Sequence, residues 1–109
     1  MSLDRLQKEL QEIAEAIMSV TDLDVTILDS SLKRIAGTGK YYEKIGKHAP
    51  KNSVFEKCIK TGKQYVITEP RTGSECAMCS GKNSCREEAE VCYPIESDRT
   101  VEGVIGMIA

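Results

Sequence analysis

Two apolar runs separated by a polar turn close the sequence, in EVCYPIESDRTVEGVIGMIA (residues 90–109). The runs Glu90–Ile95 and Val101–Ala109 are rich in valine and isoleucine, whose branched side chains favour extended backbone. The intervening ESDRT is made of polar and charged residues that suit a turn. The pattern therefore predicts two consecutive strands at the end of the chain.

Three further strands are predicted before this pair. DVTILD (Asp24–Asp29) and LKRIAG (Leu32–Gly37) flank a Ser-Ser turn, and QYVITEP (Gln64–Pro70) ends at a proline, which cannot continue a central strand. No long helix recurs between the third, fourth and fifth strands, which disfavours parallel crossover connections. The sequence therefore favours an α+β fold with a five-stranded antiparallel sheet.

Two short helices are predicted between the second and third strands. YYEKIG (Tyr41–Gly46) ends at a glycine that can stop a helix. In SVFEKCIKTG, Ser53 followed three residues later by Glu56 matches a capping box, and Gly62 is the stop.

The sequence begins with an amphipathic helix. Its apolar residues alternate at intervals of three and four, which is the spacing of a coiled-coil stripe. They are Leu3, Leu6, Leu10, Ile13, Ile17 and Val20. Such a stripe packs either on its own domain or on a second copy of the chain, and its regularity favours a homodimer. We divide the chain into this helix (residues 1–22) and a domain that holds the predicted strands (residues 23–109).

Composition excludes several classes of function. The net charge of −2 and the 5% aromatic content disfavour direct binding of DNA or RNA. No apolar run approaches the roughly 20 residues needed to span a bilayer, and no signal peptide precedes the helix, so we expect a cytoplasmic protein. His48, the only histidine, lies in a polar connection, and no catalytic constellation is present, so we expect no enzyme.

Four of the five cysteines lie in one segment, at Cys76, Cys79, Cys85 and Cys92, within a predicted loop over residues 71–92. A C-x2-C pair aims two sulfurs the same way, and four thiolates with one such pair suit an iron–sulfur cluster, most simply [4Fe–4S]. Zinc, a thiol or disulfide switch, and no function remain alternatives. Cys58 lies in the middle of a predicted helix and is interpreted as a small core residue.

Three stretches together resemble a known type of domain. DVTILDSSLKRIAGTGKY (Asp24–Tyr41), the helix ending TGK, and CYPIESDRTVEGVIGMIA (Cys92–Ala109) are similar to PAS/GAF-type sensory domains. The cysteine loop makes the chain resemble, more specifically, the N-terminal sensory domains of sigma-54-dependent transcriptional activators from anaerobic bacteria. The resemblance implies adjoining ATPase and DNA-binding modules, and a role in sensing a small molecule, a gas or redox state.

Overall fold

A computed structural model of the protein describes residues 3–67 and 89–109; residues 1–2 and 68–88 lie outside the description. The helices are a 3-10 turn (Leu3–Leu6), α1 (Gln7–Thr21), a second 3-10 helix (Gly39–Lys44) and α2 (Val54–Thr61). The strands are β1 (Asp24–Asp29), β2 (Arg34–Gly37), β3 (Tyr65–Ile67), β4 (Glu90–Ser97) and β5 (Thr100–Ile108).

The five strands form one antiparallel sheet in the order β2-β1-β5-β4-β3. The strands β4 and β5 that close the chain are joined through a turn at Asp98 and Arg99, which both adopt positive φ. β5 becomes the central strand, with β1 on one side and β4 on the other. The predicted fold class, an antiparallel five-stranded sheet with an N-terminal helix, is confirmed.

The predicted bounds of two elements are corrected by local hydrogen bonding. The second strand begins at Arg34, not at Leu32, because Leu32 adopts a left-handed φ of 71° at the end of the turn. The carboxylate of Asp29 fixes that turn by accepting hydrogen bonds from the backbone of Ser31 (2.9 Å) and Lys33 (3.0 Å). The helix predicted at residues 41–46 is a 3-10 helix over Gly39–Lys44.

The α2 helix forms as its sequence predicts. Its N-terminal residue Val54 follows Ser53, whose hydroxyl accepts a 3.5 Å hydrogen bond from the backbone N–H of Glu56. The carboxylate of Glu56 accepts from the backbone of Asn52 (2.8 Å), which is a variant of the reciprocal capping contact. Gly62 ends the helix with a left-handed φ of 67°.

Each face of the sheet is covered by a different helix, because side chains alternate along every strand. On the α1 face, Ala14 packs with Val25, Ile27 and Ala36. The α2 face holds the larger cluster, which consists of Leu28, Leu32, Tyr41, Ala49, Val54, Phe55, Cys58, Ile67, Cys92, Val104 and Ile108. We call this larger group the α2-face cluster.

Two glycines of β5 allow close packing on the two faces. A Cβ at Gly103 would collide with the carbonyl oxygen of Leu28 and lie 2.7 Å from Leu3 Cδ1. A Cβ at Gly106 would lie 2.7 Å from Cε1 of Phe55, so the Phe55 ring sits directly on the strand. The absence of side chains at both positions sets how near the helices approach the sheet.

The predicted apolar stripe of α1 divides between the core and the surface. Leu3 is buried, and Leu10 and Ile17 pack against the cluster on the α1 face. Ile13 and Val20 stay 49% and 85% exposed. The homodimer through all six stripe residues therefore stays a prediction, and half of that set already has contacts within its own chain. Among residues 3–67 and 89–109, no helix is long and apolar enough to cross a membrane.

Candidate functional site

Of the four predicted site cysteines, Cys92 lies in the described part of the chain, and Cys76, Cys79 and Cys85 lie outside it. Cys92 is the third residue of β4 and is fully buried. It pairs with Gly106 on one side and Tyr65 on the other, and its side chain belongs to the α2-face cluster. Its thiol is therefore held by a strand in the interior of the sheet.

The predicted cysteine loop is attached next to Cys92. Ile67, the last described residue before residues 68–88, pairs directly with Glu90 of β4. Glu90 is two residues before Cys92, a distance of about 7 Å along a strand. Both attachment points of the segment that carries Cys76, Cys79 and Cys85 therefore lie on adjacent strands at one end of the sheet.

Cys58 shares the α2-face cluster with Cys92 and is also fully buried. Burial raises the pKa of the Cys58 thiol from 9.0 to about 11, because the apolar surroundings disfavour the thiolate. Cys58 is therefore a protonated core residue at neutral pH, as its position in the helix predicts. Both thiols are free of disulfide bonds.

Polar residues are also buried on the α2 face of the sheet, and sequence reasoning missed them. Arg34 is 4% exposed; its Nε donates a 2.6 Å hydrogen bond to Oγ1 of Thr26, and its guanidinium lies 5.3 Å from the centre of the Tyr41 ring. Glu90 is 4% exposed at the attachment point of the predicted loop. The available signal was a charged residue within each predicted strand, but the sequence alone does not say which charged residues point inward.

An open cleft of about 410 Å³ lies beside β4. Its lining is Gly62, Gln64, Tyr93, Pro94 and Glu96. The third strand pairs with β4 only from Glu90 to Cys92, so the cleft lies where β4 has passed the end of β3. Neither Cys58 nor Cys92 is among the residues that line this cleft.

Within the described ranges, no three His, Cys, Asp or Glu side chains converge as a metal site. His48 is exposed and its backbone forms an isolated bridge to Lys33, as expected for a loop residue.

Comparisons with known proteins give a related regulator and solved structures of similar fold. No protein-family model matches the chain. It is 34% identical over 108 residues to UacR of Escherichia coli K12, described as a uric acid sigma-54-dependent transcriptional regulator. The match covers 98% of this chain but only 18% of that relative, so the chain spans less than a fifth of the relative's length.

Solved structures with low sequence identity share the architecture. The GAF domain of A. aeolicus nlh2 in an inactive state matches with a TM-score of 0.74 and 20% identity, over 94% of this chain and 67% of that chain. The chain has a GAF-like fold. A free methionine-R-sulfoxide reductase from Thermoplasma acidophilum matches with a TM-score of 0.72, over 99% of this GAF-like chain and 77% of the reductase. At an identity of only 10%, this match shows a shared fold alone, and the activity of the reductase is not carried over to this chain.

The predicted resemblance to a GAF-type domain and to a sigma-54-dependent regulator is confirmed by these matches. The iron–sulfur cluster, its four cysteine ligands, the homodimer and the cytoplasmic location stay predictions. The GAF-like domain places a buried thiol, Cys92, at the base of the predicted cysteine loop.

Proposed function

We propose that this chain is the signal-sensing regulatory domain of a cytoplasmic sigma-54-dependent transcriptional regulator. The identity of 34% to a regulator of that class, across nearly the whole chain, supports the proposal. In the intact protein, ATPase and DNA-binding modules would read the state of this domain. The domain itself senses and does not catalyse.

The signal acts on a redox-responsive centre formed by Cys92 together with Cys76, Cys79 and Cys85, most simply an iron–sulfur cluster. The observation that supports this most is the burial of the Cys92 thiol two residues from Glu90, next to both attachment points of residues 68–88. A cluster at that end of the sheet would be shielded from water on the Cys92 side, and shielding tunes its potential. Three further thiolates would come from the segment tethered there.

The sheet offers a route from this centre to the opposite face. Cys92 on β4 pairs with Gly106 on β5, Gly106 pairs with Thr26 on β1, and α1 packs on β1. Loss or oxidation of the cluster would break the link between Cys92 and the segment that carries Cys76, Cys79 and Cys85. Altered packing of β4 against its neighbours would then shift α1, which serves as the output element.

The test is anaerobic purification followed by quantitation of iron and sulfide and by a visible absorption spectrum. Cys92→Ser and Cys58→Ser form a matched pair, since both thiols are fully buried in the α2-face cluster. We expect Cys92→Ser to lose most of the iron and the visible absorption, and Cys58→Ser to retain both.

Two results would remove the cluster from the proposal. Colourless protein without iron after anaerobic reconstitution would do so, and metal analysis would then show whether zinc occupies the cysteines. Equal loss of iron in the two serine variants would show that general damage to the core, not ligation, explains the loss.

A second candidate function is the binding of a small anion on the α2 face. The buried Arg34 guanidinium beside Thr26 and Tyr41 supports it, because arginine recognises planar anions through paired hydrogen bonds and ring stacking. Uric acid, which the name of the regulator from Escherichia coli contains, fits that chemistry when ionised.

Calorimetric titration with urate, under anaerobic conditions, tests this candidate. We expect Arg34→Lys to weaken binding at least tenfold, because lysine keeps the charge and loses the fork geometry. Arg99→Lys, at an exposed turn residue, is the control and should bind as the wild type does. The absence of any urate binding by the folded wild-type chain would reject urate as the ligand.

A further inference from the structure

Three positive side chains lie around one buried aromatic ring, that of Tyr41 on the second 3-10 helix. The Nζ atoms of Lys40 and Lys44 lie over this ring, 5.3 Å and 5.7 Å from its centre. Cζ of the buried Arg34 lies 5.3 Å from the same point. Because a ring has two faces, at least two of the three cations share one of them.

The segment that carries this ring is strongly basic. Residues 33–51 contain six lysine or arginine residues and one acidic residue, whereas the whole chain has a net charge of −2. No carboxylate of the described residues lies within 4.0 Å of the ammonium nitrogen of Lys40 or Lys44. Two acidic groups are close in the fold: Glu43 is exposed on the same 3-10 helix, and Asp24 accepts a hydrogen bond from the residue before that helix. The two ammonium groups therefore keep a positive field that no described carboxylate neutralises by direct contact.

Backbone hydrogen bonds fix the positions from which these side chains extend. At the start of the 3-10 helix, the N–H of Tyr41 donates to the carbonyl of Thr38 (3.0 Å). Beyond its end, the N–H of Gly46 donates to the carbonyl of Arg34 (2.8 Å), and the N–H of Arg34 donates to the carbonyl of Lys47 (2.9 Å). The helix is thus tied at both ends to β2 and the residue that follows it, so the ring and the bases of the lysine side chains are held in place.

Attraction between each cation and the ring explains part of this arrangement. An ammonium group over an exposed ring gains about 0.5–1 kcal/mol, and the alkyl part of a lysine can cover apolar surface. Several cations at one ring also repel one another, because like charges at short range raise the energy of the site. An anion in contact with the ammonium groups of Lys40 and Lys44 would remove this repulsion.

We propose that Lys40 and Lys44 bind the anionic end of a ligand beside Tyr41, and that this end carries two negative charges, as a phosphate monoester does. Lysine binds phosphate as a point charge, without the planar fork that arginine offers to flat anions. The inference deepens the second candidate function and rests on it, because both place an anion next to the Tyr41 ring. It adds the residues on the exposed side and the ligand charge that they favour.

The test compares two tetrahedral anions of similar size, methyl phosphate and methyl sulfate, at about pH 8 and low salt. A phosphate monoester is doubly charged at this pH because its second pKa is about 6, whereas methyl sulfate carries a single charge. Each is titrated into the 109-residue chain, and binding is followed by NMR shifts of the backbone amides of residues 38–47. We expect methyl phosphate to bind with a Kd of about 1 mM or tighter, and at least about fivefold more tightly than methyl sulfate.

Charge-removing variants assign the binding to the two lysines. Lys40→Gln and Lys44→Gln should each weaken binding of methyl phosphate about fivefold or more. Lys63→Gln is the matched control, since it removes the same charge from an exposed lysine between α2 and β3. Because all three lysines are exposed, each variant should keep the circular dichroism spectrum of the wild type.

Three outcomes overturn the inference. The first is the absence of methyl phosphate binding at about 10 mM. The second is equal affinity for methyl phosphate and methyl sulfate, which would remove the preference for a doubly charged group. The third is equal weakening by Lys63→Gln and by the two variants at the ring, which would show attraction by overall charge and not a site.

The urate titration separates this inference from the candidate function on which it rests. Urate binding that depends on Arg34, with methyl phosphate binding unchanged in Lys40→Gln and Lys44→Gln, would reject the inference and keep the candidate function. Methyl phosphate binding that needs both lysines, without any urate binding, would keep the inference and reject urate as the ligand. Binding of neither anion would reject both.

Discussion

Cys58 and Cys92 are the same residue type, but their positions in the fold give them different candidate roles. Both thiols are fully buried in the α2-face cluster, one on a helix and one on a strand. Cys92 is two residues from the attachment of the predicted cysteine loop, whereas Cys58 lies within α2 among Val54 and Phe55. Position relative to residues 68–88, not burial, is what separates a candidate ligand from a packing residue.

The raised pKa of Cys58 predicts a pH-dependent loss of stability. The thiol ionises near pH 9.0 in the unfolded chain and near 11 in the folded protein, so its contribution is complete below pH 9 and is lost as pH rises toward 11. In iron-free protein, we expect the free energy of unfolding to fall across this window by up to about 2 kcal/mol more in the wild type than in Cys58→Ala.

Urea denaturation of both proteins between pH 8 and 11 measures this difference. Cys58→Ala is itself less stable through the cavity it leaves, so the comparison concerns the slope with pH and not the absolute stability. Parallel pH profiles for the two proteins would show that the Cys58 thiol ionises equally well in the folded and unfolded states.

At the scale of elements, α1 is attached to the sheet by polar as well as apolar contacts. Leu10 and Ile17 pack on the α1-face cluster, while Gln7 and Gln11 donate to the carbonyls of Ile35 and Gly37. These glutamines cover backbone groups of the edge strand β2 that would otherwise be open to another chain. The stripe of leucine and isoleucine predicts the helix, and the glutamines decide which of its flanks meets the sheet edge.

Removal of the Gln11 contacts should loosen this attachment. Because Gln11 both donates to and accepts from the Gly37 backbone, we expect Gln11→Ala to lower the free energy of unfolding by about 1–2 kcal/mol. Glu12→Ala, at the adjacent exposed position, should change it by less than about 0.5 kcal/mol. Urea denaturation checks the pair, and equal effects of the two substitutions would contradict a role for Gln11 in holding the edge strand.

At the scale of the whole molecule, the GAF-like domain is a sheet between two unequal coverings. The α2 face is closed over by α2 and holds the larger apolar cluster together with Arg34 and Glu90. On the α1 face, the strands β2 and β1 are covered by α1. The sequence had assigned this helix to a separate segment, residues 1–22. That helix shares a cluster with Val25 and Ile27 and so forms part of the domain core.

A chain reduced to residues 23–109 should therefore lose its cooperative fold. Without α1, the side chains of Val25, Ile27 and Ala36, which are almost fully buried, become exposed to water. We expect strong binding of the dye ANS and the absence of a sharp thermal transition. Val20→Ser in the full chain is the control, because it alters the exposed flank of the same helix without uncovering the sheet.

Local rules in the sequence were sufficient for the fold class and for most of the elements that the structure describes. Ser53 and Gly62 mark the two ends of α2 through contacts within a few residues. The β-branched residues of Asp24–Asp29 and the valine- and isoleucine-rich run Val101–Ala109 specify strands, because propensity acts at short range. Only the tertiary structure decided the rest. It buried Arg34 beside Tyr41, brought Cys58 and Cys92 into one cluster, and divided the α1 stripe between core and surface. These depend on which strands become neighbours, and long-range pairing is not encoded in the spacing of any single segment.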